Sequence, residues 1–226
     1  MTRTTNARIA GSTFLIYIVA GVGTMVLVHS PSAASITEKL ANMAQHALLV
    51  RVNLLLGLLQ AMCALVLATT LYSLTRDEDR DIALLGLVCR AGEGLMAAFG
   101  IRRTIETLWL AQATGSKAPD SAVVQTVGAY LLNAPGANLG AIFFAIGSVM
   151  FSYLFLRGRL IPTWMAWLGV IASVLLVVGL PLQLAGFLTG AIVNYMWIPM
   201  AAFEIPLGFW LIVKGVRNEP ISPGTV

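Results

Sequence analysis

Six stretches of apolar residues follow one another along the chain, at roughly 12–29, 48–74, 82–110, 138–157, 163–188 and 192–213. About 20 residues of helix rise ~30 Å, the thickness of a bilayer core. Inside that core each backbone N–H and C=O must be satisfied by the protein itself, which leaves helices or a closed barrel. None of the six stretches alternates polar and apolar residues with period two, so the barrel is excluded. The expected fold is all-α: one polytopic transmembrane helix bundle over residues 1–226, with about six spans and short interfacial helices in the longer loops. Composition agrees, because only 11% of residues are charged, against about 25% in a soluble domain.

The flanks of the segments predict an orientation. Arg3 and Arg8 precede the first, and Arg76 and Arg80 separate the second from the third. Arg157 and Arg159 separate the fourth from the fifth, and Lys214 and Arg217 follow the sixth. All of these fall on one side. The opposite side has Lys39 and Lys117 in its loops, with Arg51, Arg102 and Arg103 near helix ends. Basic residues concentrate in cytoplasmic loops, so both termini are expected in the cytoplasm and the protein in the cell membrane. The net charge of +4 therefore reads as topology; no basic-aromatic groove suggests nucleic acid. The first segment has a competing reading as a cleaved secretory signal ending at Ser32-Ala33-Ala34, but its apolar run exceeds the usual 7–15 residues and favours a retained helix.

The outer loops, near 30–47 and 111–137, are long. Ser35-Ile36-Thr37-Glu38 fits a capping box, with Ile36, Leu40, Met43 and Ala47 on one face behind it. Asp120 is placed to cap a second short helix with Val123, Val127 and Leu131 inward. These helices could cover a cavity or merely fill out the bundle. Cys63 and Cys89 lie in apolar stretches without metal-type spacing and read as small buried hydrophobes. His29 and His46 read as surface groups at the outer interface, and Trp164 and Trp167 as interfacial anchors.

Charged residues at the centre of a membrane helix cost at least ~2.5–3.5 kcal/mol each, so depth decides which of them matter. From an expected helix start near Ile82, Arg90 lies roughly 12 Å and Glu93 roughly 17 Å deep. Three residues apart, they share a face with Gly86, Ala97 and Gly100, small residues that admit a neighbouring helix. Glu204, ten residues before Lys214, has a similar depth of roughly 15 Å. It stands between Pro199 and Pro206, which loosen the helix backbone, and shares its face with Trp197, Ala201, Gly208 and Leu211. Two acids and one arginine at one level leave one acid without a cation, a pair able to hold a shared proton. The second segment adds Asn53, Gly57, Gln60 and Ala64 on one face, and the fourth adds Ala141, Ala145, Ser148 and Ser152; such stripes serve as helix–helix glue or as ligand contacts. Gln183, Asn194 and Tyr195 are placed to line an outer entrance.

No HExxH, GxSxG, P-loop or GxGxxG motif is present, and neither a metal nor an organic cofactor is expected. Val88-Cys89-Arg90-Ala91-Gly92-Glu93, Leu71-Tyr72, Leu160-Ile161-Pro162, Glu204-Ile205-Pro206-Leu207-Gly208, Trp210-Leu211-Ile212 and Lys214-Gly215 resemble, in order and spacing, domain-of-unknown-function family 4386. The resemblance covers nearly the whole chain and implies a bacterial six-helix membrane protein; it implies no activity and no catalytic residue. The functional expectation rests on the buried residues alone. It is an intramembrane enzyme acting on a lipid or lipid-like substrate, with Glu93 and Glu204 as catalytic groups. Arg90, Gln60, Asn53, Trp197, Gln183, Asn194 and Tyr195 are the expected substrate contacts. Glycosidic hydrolysis is the most concrete version, since two carboxylates can run it; isomerisation or cyclisation of a lipid is another. A proton-coupled carrier or lipophilic-ligand binder, and a structural subunit locked by ion pairs, are the competing readings. The expected partner is membrane lipid.

Overall fold

The computed structural model describes residues 2–27, 35–113, 119–133 and 139–217. They form α1 (Arg3–Leu27), α2 (Ile36–Gln45), α3 (Ala47–Thr75), α4 (Arg80–Gln112), α5 (Ser121–Asn133), α6 (Leu139–Arg157), α7 (Thr163–Leu184), α8 (Ile192–Tyr195) and α9 (Ile198–Val213). Among the described residues there is no strand. Helices α1, α3, α4, α6 and α7 and the stretch Ile192–Val213 are each long and apolar enough to cross a membrane. The chain is thus an all-helical, multi-pass membrane protein.

The long helices close a ring in the order α1, α3, α4, α6, α7, α9 and back to α1. The tightest joint is between α1 and α9: a Cβ on Gly11 would come 2.5 Å from the Gly208 carbonyl oxygen. Gly208 in turn leaves room for the Leu15 side chain. At the end of the ring that carries the short turns, Leu67, Leu71, Leu74, Ala83, Phe151, Phe155, Leu160 and Ile161 are buried in a continuous core. Both described chain ends are tied to this turn face: the Arg3 guanidinium donates to the Leu74 carbonyl, and the Arg217 N–H donates to the Leu160 carbonyl. Asp79 caps α4 by accepting from the Ile82 N–H at 3.2 Å and pairs with Arg157 at 2.8 Å. The Ile82 N–H and the Arg157 guanidinium hold the Asp79 carboxyl below its ordinary range.

The opposite end, the cap face, carries α2 and α5, which pack on each other and on α4. The Ser35–Glu38 capping box forms as expected, with both reciprocal bonds at 3.2 Å. The α5 face differs from expectation. Val123 and Val127 are exposed, and the buried position is Gly128, flanked by the half-buried Val124 and Leu131. The physical reason is close approach: a Cβ on Gly128 would lie 3.0 Å from Ile36 and 3.1 Å from Leu40, so α5 turns its smallest residue to α2. Arg103 of α4 fastens the far end of α5 by donating to the carbonyls of Leu131 and Tyr130.

Three span limits also move. The first helix begins at Arg3, well before 12, because its polar first turns pack against the ring, burying Asn6, Ala7 and Ala10. The fifth span stops at Leu184 rather than 188, where Gly186 (φ +81°) takes the left-handed conformation that ends a helix. The sixth span is interrupted between α8 and α9 at Met196-Trp197. Pro206 sits inside α9, and the helix continues to Val213. Cys63 and Cys89 are buried free thiols. His46 lies between α2 and α3 with its ring Nδ1 2.9 Å from the Asn42 carbonyl; His29 and Ser32-Ala33-Ala34 lie outside the described residues.

Candidate functional site

The polar centre starts from the one-turn spacing of Arg90 and Glu93 on α4. Their side chains meet at 2.8 Å, and both are buried, with Arg90 1% and Glu93 6% exposed. Helix α6 allows this because Gly147 faces the arginine: a Cβ there would lie 3.0 Å from Arg90 Cγ. The guanidinium is packed among aromatic rings, 4.7 Å from the centroid of Phe144, 5.7 Å from Tyr17 and 5.8 Å from Phe14. Rings so placed attract a desolvated cation through their quadrupoles. Arg90 Nε and Nη2 have no hydrogen-bond partner among the described residues.

Glu93 is held at both oxygens. Oε2 accepts from Arg90, and Oε1 accepts from the Tyr17 hydroxyl of α1 at 2.6 Å. Tyr17 escapes sequence reasoning: it is one aromatic among many apolar residues of its helix, with no charge or spacing to single it out. Glu204, from α9, is 5% exposed and has no hydrogen-bond partner among the described residues. It lies within electrostatic reach of both Arg90 and Glu93. Between Arg90 and Glu204, with Ser148 and Ser152 of α6 beside them, is a void of about 10 Å³, the room a single water takes.

Glu93 and Glu204 both stand in the wall of a far larger cavity of about 840 Å³, at the upper end of small-molecule sites. From these two carboxyls it rises through the half of the ring nearer the cap face, past Gln60 and Asn53 of α3, Met96, Phe99 and Gly100 of α4, and Trp197 of α9. Phe99, Gly100, Leu139 and Ala201 belong to its wall and are exposed, which places the opening along the cap-face halves of α4, α6 and α9. Toward the turn face it ends on the packed core. Neither α2 nor α5 contributes a wall residue, so these helices brace α4.

The structure thus gathers Glu93, Glu204, Gln60, Asn53 and Trp197 around one space. Arg90 stands behind Glu93 and is absent from that wall. Gln183, Asn194 and Tyr195 are exposed at the ends of α7 and α8 and line no part of it. Of the expected stripes, Asn53, Gly57, Gln60 and Ala64 face the cavity, while Ala145 and Ser152 are packed contacts between helices. Among the described residues no cluster of three or more His, Cys, Asp or Glu could hold a metal ion.

The family model described as domain of unknown function (DUF4386) matches residues 9–215. No curated protein and no solved structure matches the chain.

Proposed function

We propose, for a chain that belongs to the DUF4386 family and takes no activity from that description, an intramembrane enzyme that performs acid–base chemistry on a lipid-like substrate. The observation that carries the reading is the cavity with one blind end, at which an unpartnered glutamate and a fully engaged glutamate stand together. A carrier needs access from both faces, and the packed core beyond Glu204 favours a one-ended site. A purely structural ion pair has no use for a second acid, without a hydrogen-bond partner among the described residues, facing an open space.

The two acids divide the work by their surroundings. Glu204, free of hydrogen bonds among the described residues, is the group that gives and takes a proton. Glu93, fixed by Tyr17 and Arg90, is the standing charge that stabilises positive charge developing on the substrate. For a glycosidic bond, the Glu204 carboxyl proton passes to the leaving oxygen as the carbon–oxygen bond breaks. Water then adds to the sugar carbon, and its surplus proton restores Glu204. Both oxygens of Glu93 are occupied, which favours electrostatic stabilisation over a covalent intermediate. With the basic-loop bias, the mouth opens on the non-cytoplasmic leaflet of the cell membrane.

The test is Glu93→Gln and Glu204→Gln, purified in detergent, checked for folding and assayed on glycolipids and other neutral and charged lipids. Both variants are expected to fold and to lose at least about a hundredfold in turnover, the scale of positioned acid–base catalysis. Full turnover of an identified substrate by both variants sinks the proposal; failure of both to fold makes the acids structural.

A further inference from the structure

Among the described residues the cavity wall carries two carboxyl groups, the neutral amides of Asn53 and Gln60 and the Trp197 indole, but no cation. Of its hydroxyls, Tyr17 spends its proton on Glu93, Thr24 on the Gly21 carbonyl and Thr104 on the Gly100 carbonyl. Among the described residues Asn53 Oδ1 is buried with no donor, and Glu204 likewise has none. Among the described residues no lysine, arginine or histidine belongs to the wall, and the Arg90 guanidinium is turned away behind Glu93. A buried polar group without a partner is costly, and an unpaired buried charge far more so. An anionic headgroup brought to this floor would meet the Glu93 carboxylate and the Glu204 carboxyl, while the nearby cation, Arg90, is already paired with Glu93. A headgroup carrying O–H or N–H donors would satisfy Asn53 and Glu204 together.

The polar groups also have a direction. Asn53 and Gln60 are seven residues apart on α3, roughly 10 Å along its axis, with Glu204 deeper. The facing wall from α4 and its neighbours is apolar at Met96, Phe99 and Ile101. We infer that the site takes an amphiphile whose headgroup has no negative charge and carries several hydrogen-bond donors along the α3 wall, with its alkyl chain along α4 toward the mouth. This rests on the cavity serving as a substrate site, and it excludes phosphate- and carboxylate-headed lipids.

The experiment measures binding to the full chain in phosphatidylcholine nanodiscs, with empty nanodiscs as background, using three probes of equal tail: decyl glucoside, decylamine and decyl phosphate. Decyl glucoside and decylamine are expected to bind saturably, and decyl phosphate at least about tenfold more weakly. Gly100→Trp fills open space, since a Cβ at Gly100 meets nothing within 4 Å, and should weaken both favoured probes about tenfold or more. Ala97→Leu fills the same wall and serves if the tryptophan variant does not fold. Glu204→Gln should cost decylamine more than decyl glucoside. Decyl phosphate binding as tightly as the others and losing affinity in the filled variants overturns the inference, and so does the absence of saturable binding by all three. Selective binding without turnover of any lipid sinks the enzymatic reading alone. Turnover of an anionic lipid that Glu204→Gln abolishes sinks the headgroup inference alone.

Discussion

Arg90 carries its charge into the middle of the bundle with one acid as ion-pair partner and three aromatic rings as surroundings. Removing one member of such a pair leaves an uncompensated buried charge, at a cost of about 3–5 kcal/mol. Arg90→Met is therefore expected to lower the unfolding midpoint in detergent sharply. Arg90→Met combined with Glu93→Leu should recover most of the loss while remaining inactive. A double variant no more stable than the single one would show that the arginine acts chiefly through its packing. Tyr17→Phe removes one charge-assisted hydrogen bond, about 1.5–3 kcal/mol, and should reduce turnover more than stability if Glu93 must be held in place. The Arg90–Glu93 pair and the depth of Glu204 were legible in the sequence because helix geometry turns spacing into position. Tyr17 was not, because its role depends on how α1 is rotated against α4. Nor was the withdrawal of Arg90 from the cavity wall, which depends on Gly147 of a different helix making room.

At the scale of elements, the glycines of the ring do opposite things. Gly11→Ala brings a methyl group into the Gly208 backbone of α9, and overpacking of this kind costs about 1–3 kcal/mol. Gly100→Ala meets only open space and should leave stability unchanged or raise it by up to ~1 kcal/mol from helix propensity. Thermal unfolding of the two variants side by side tests the α1–α9 joint; equal midpoints would refute it. The α4 start gives a pH signature. The Asp79 carboxyl is held below its ordinary value by the Ile82 N–H and Arg157, so its contribution is complete above the unfolded pKa of about 3.9 and is lost as pH falls through the lower folded value. The midpoint gap between wild type and Asp79→Ala should stay level from pH 7 down to about 4 and close below that. Helix existence and most boundaries were readable from apolar runs and caps. The face of α5 was not, because helical spacing favours Val123 and Val127, whereas close packing against α2 turns Gly128 inward.

Across the whole molecule, six spans put both described ends on the turn face, whichever way the ring sits in the membrane. The orientation proposed from the arginine bias has that face in the cytoplasm. Cysteines placed at the exposed Asp77 and Asp120 should label with membrane-impermeant maleimide from the inside and the outside respectively; the reverse pattern overturns the orientation and moves the cavity mouth to the inner leaflet. The native thiols of Cys63 and Cys89 are buried and give a low background. The ring is dense in its turn-face half and hollow in its cap-face half, and this division governs how the protein can diverge. Changes among Leu67, Leu71, Phe151 and Phe155 are judged by volume, since a close-packed interior registers each methylene. Changes at Leu54, Met96, Phe99 and Ile101 alter only the shape of the space they surround. One half of the ring is thus answerable to folding and the other to the shape of a space, so that space can be recut without rebuilding the scaffold that holds Glu93 and Glu204.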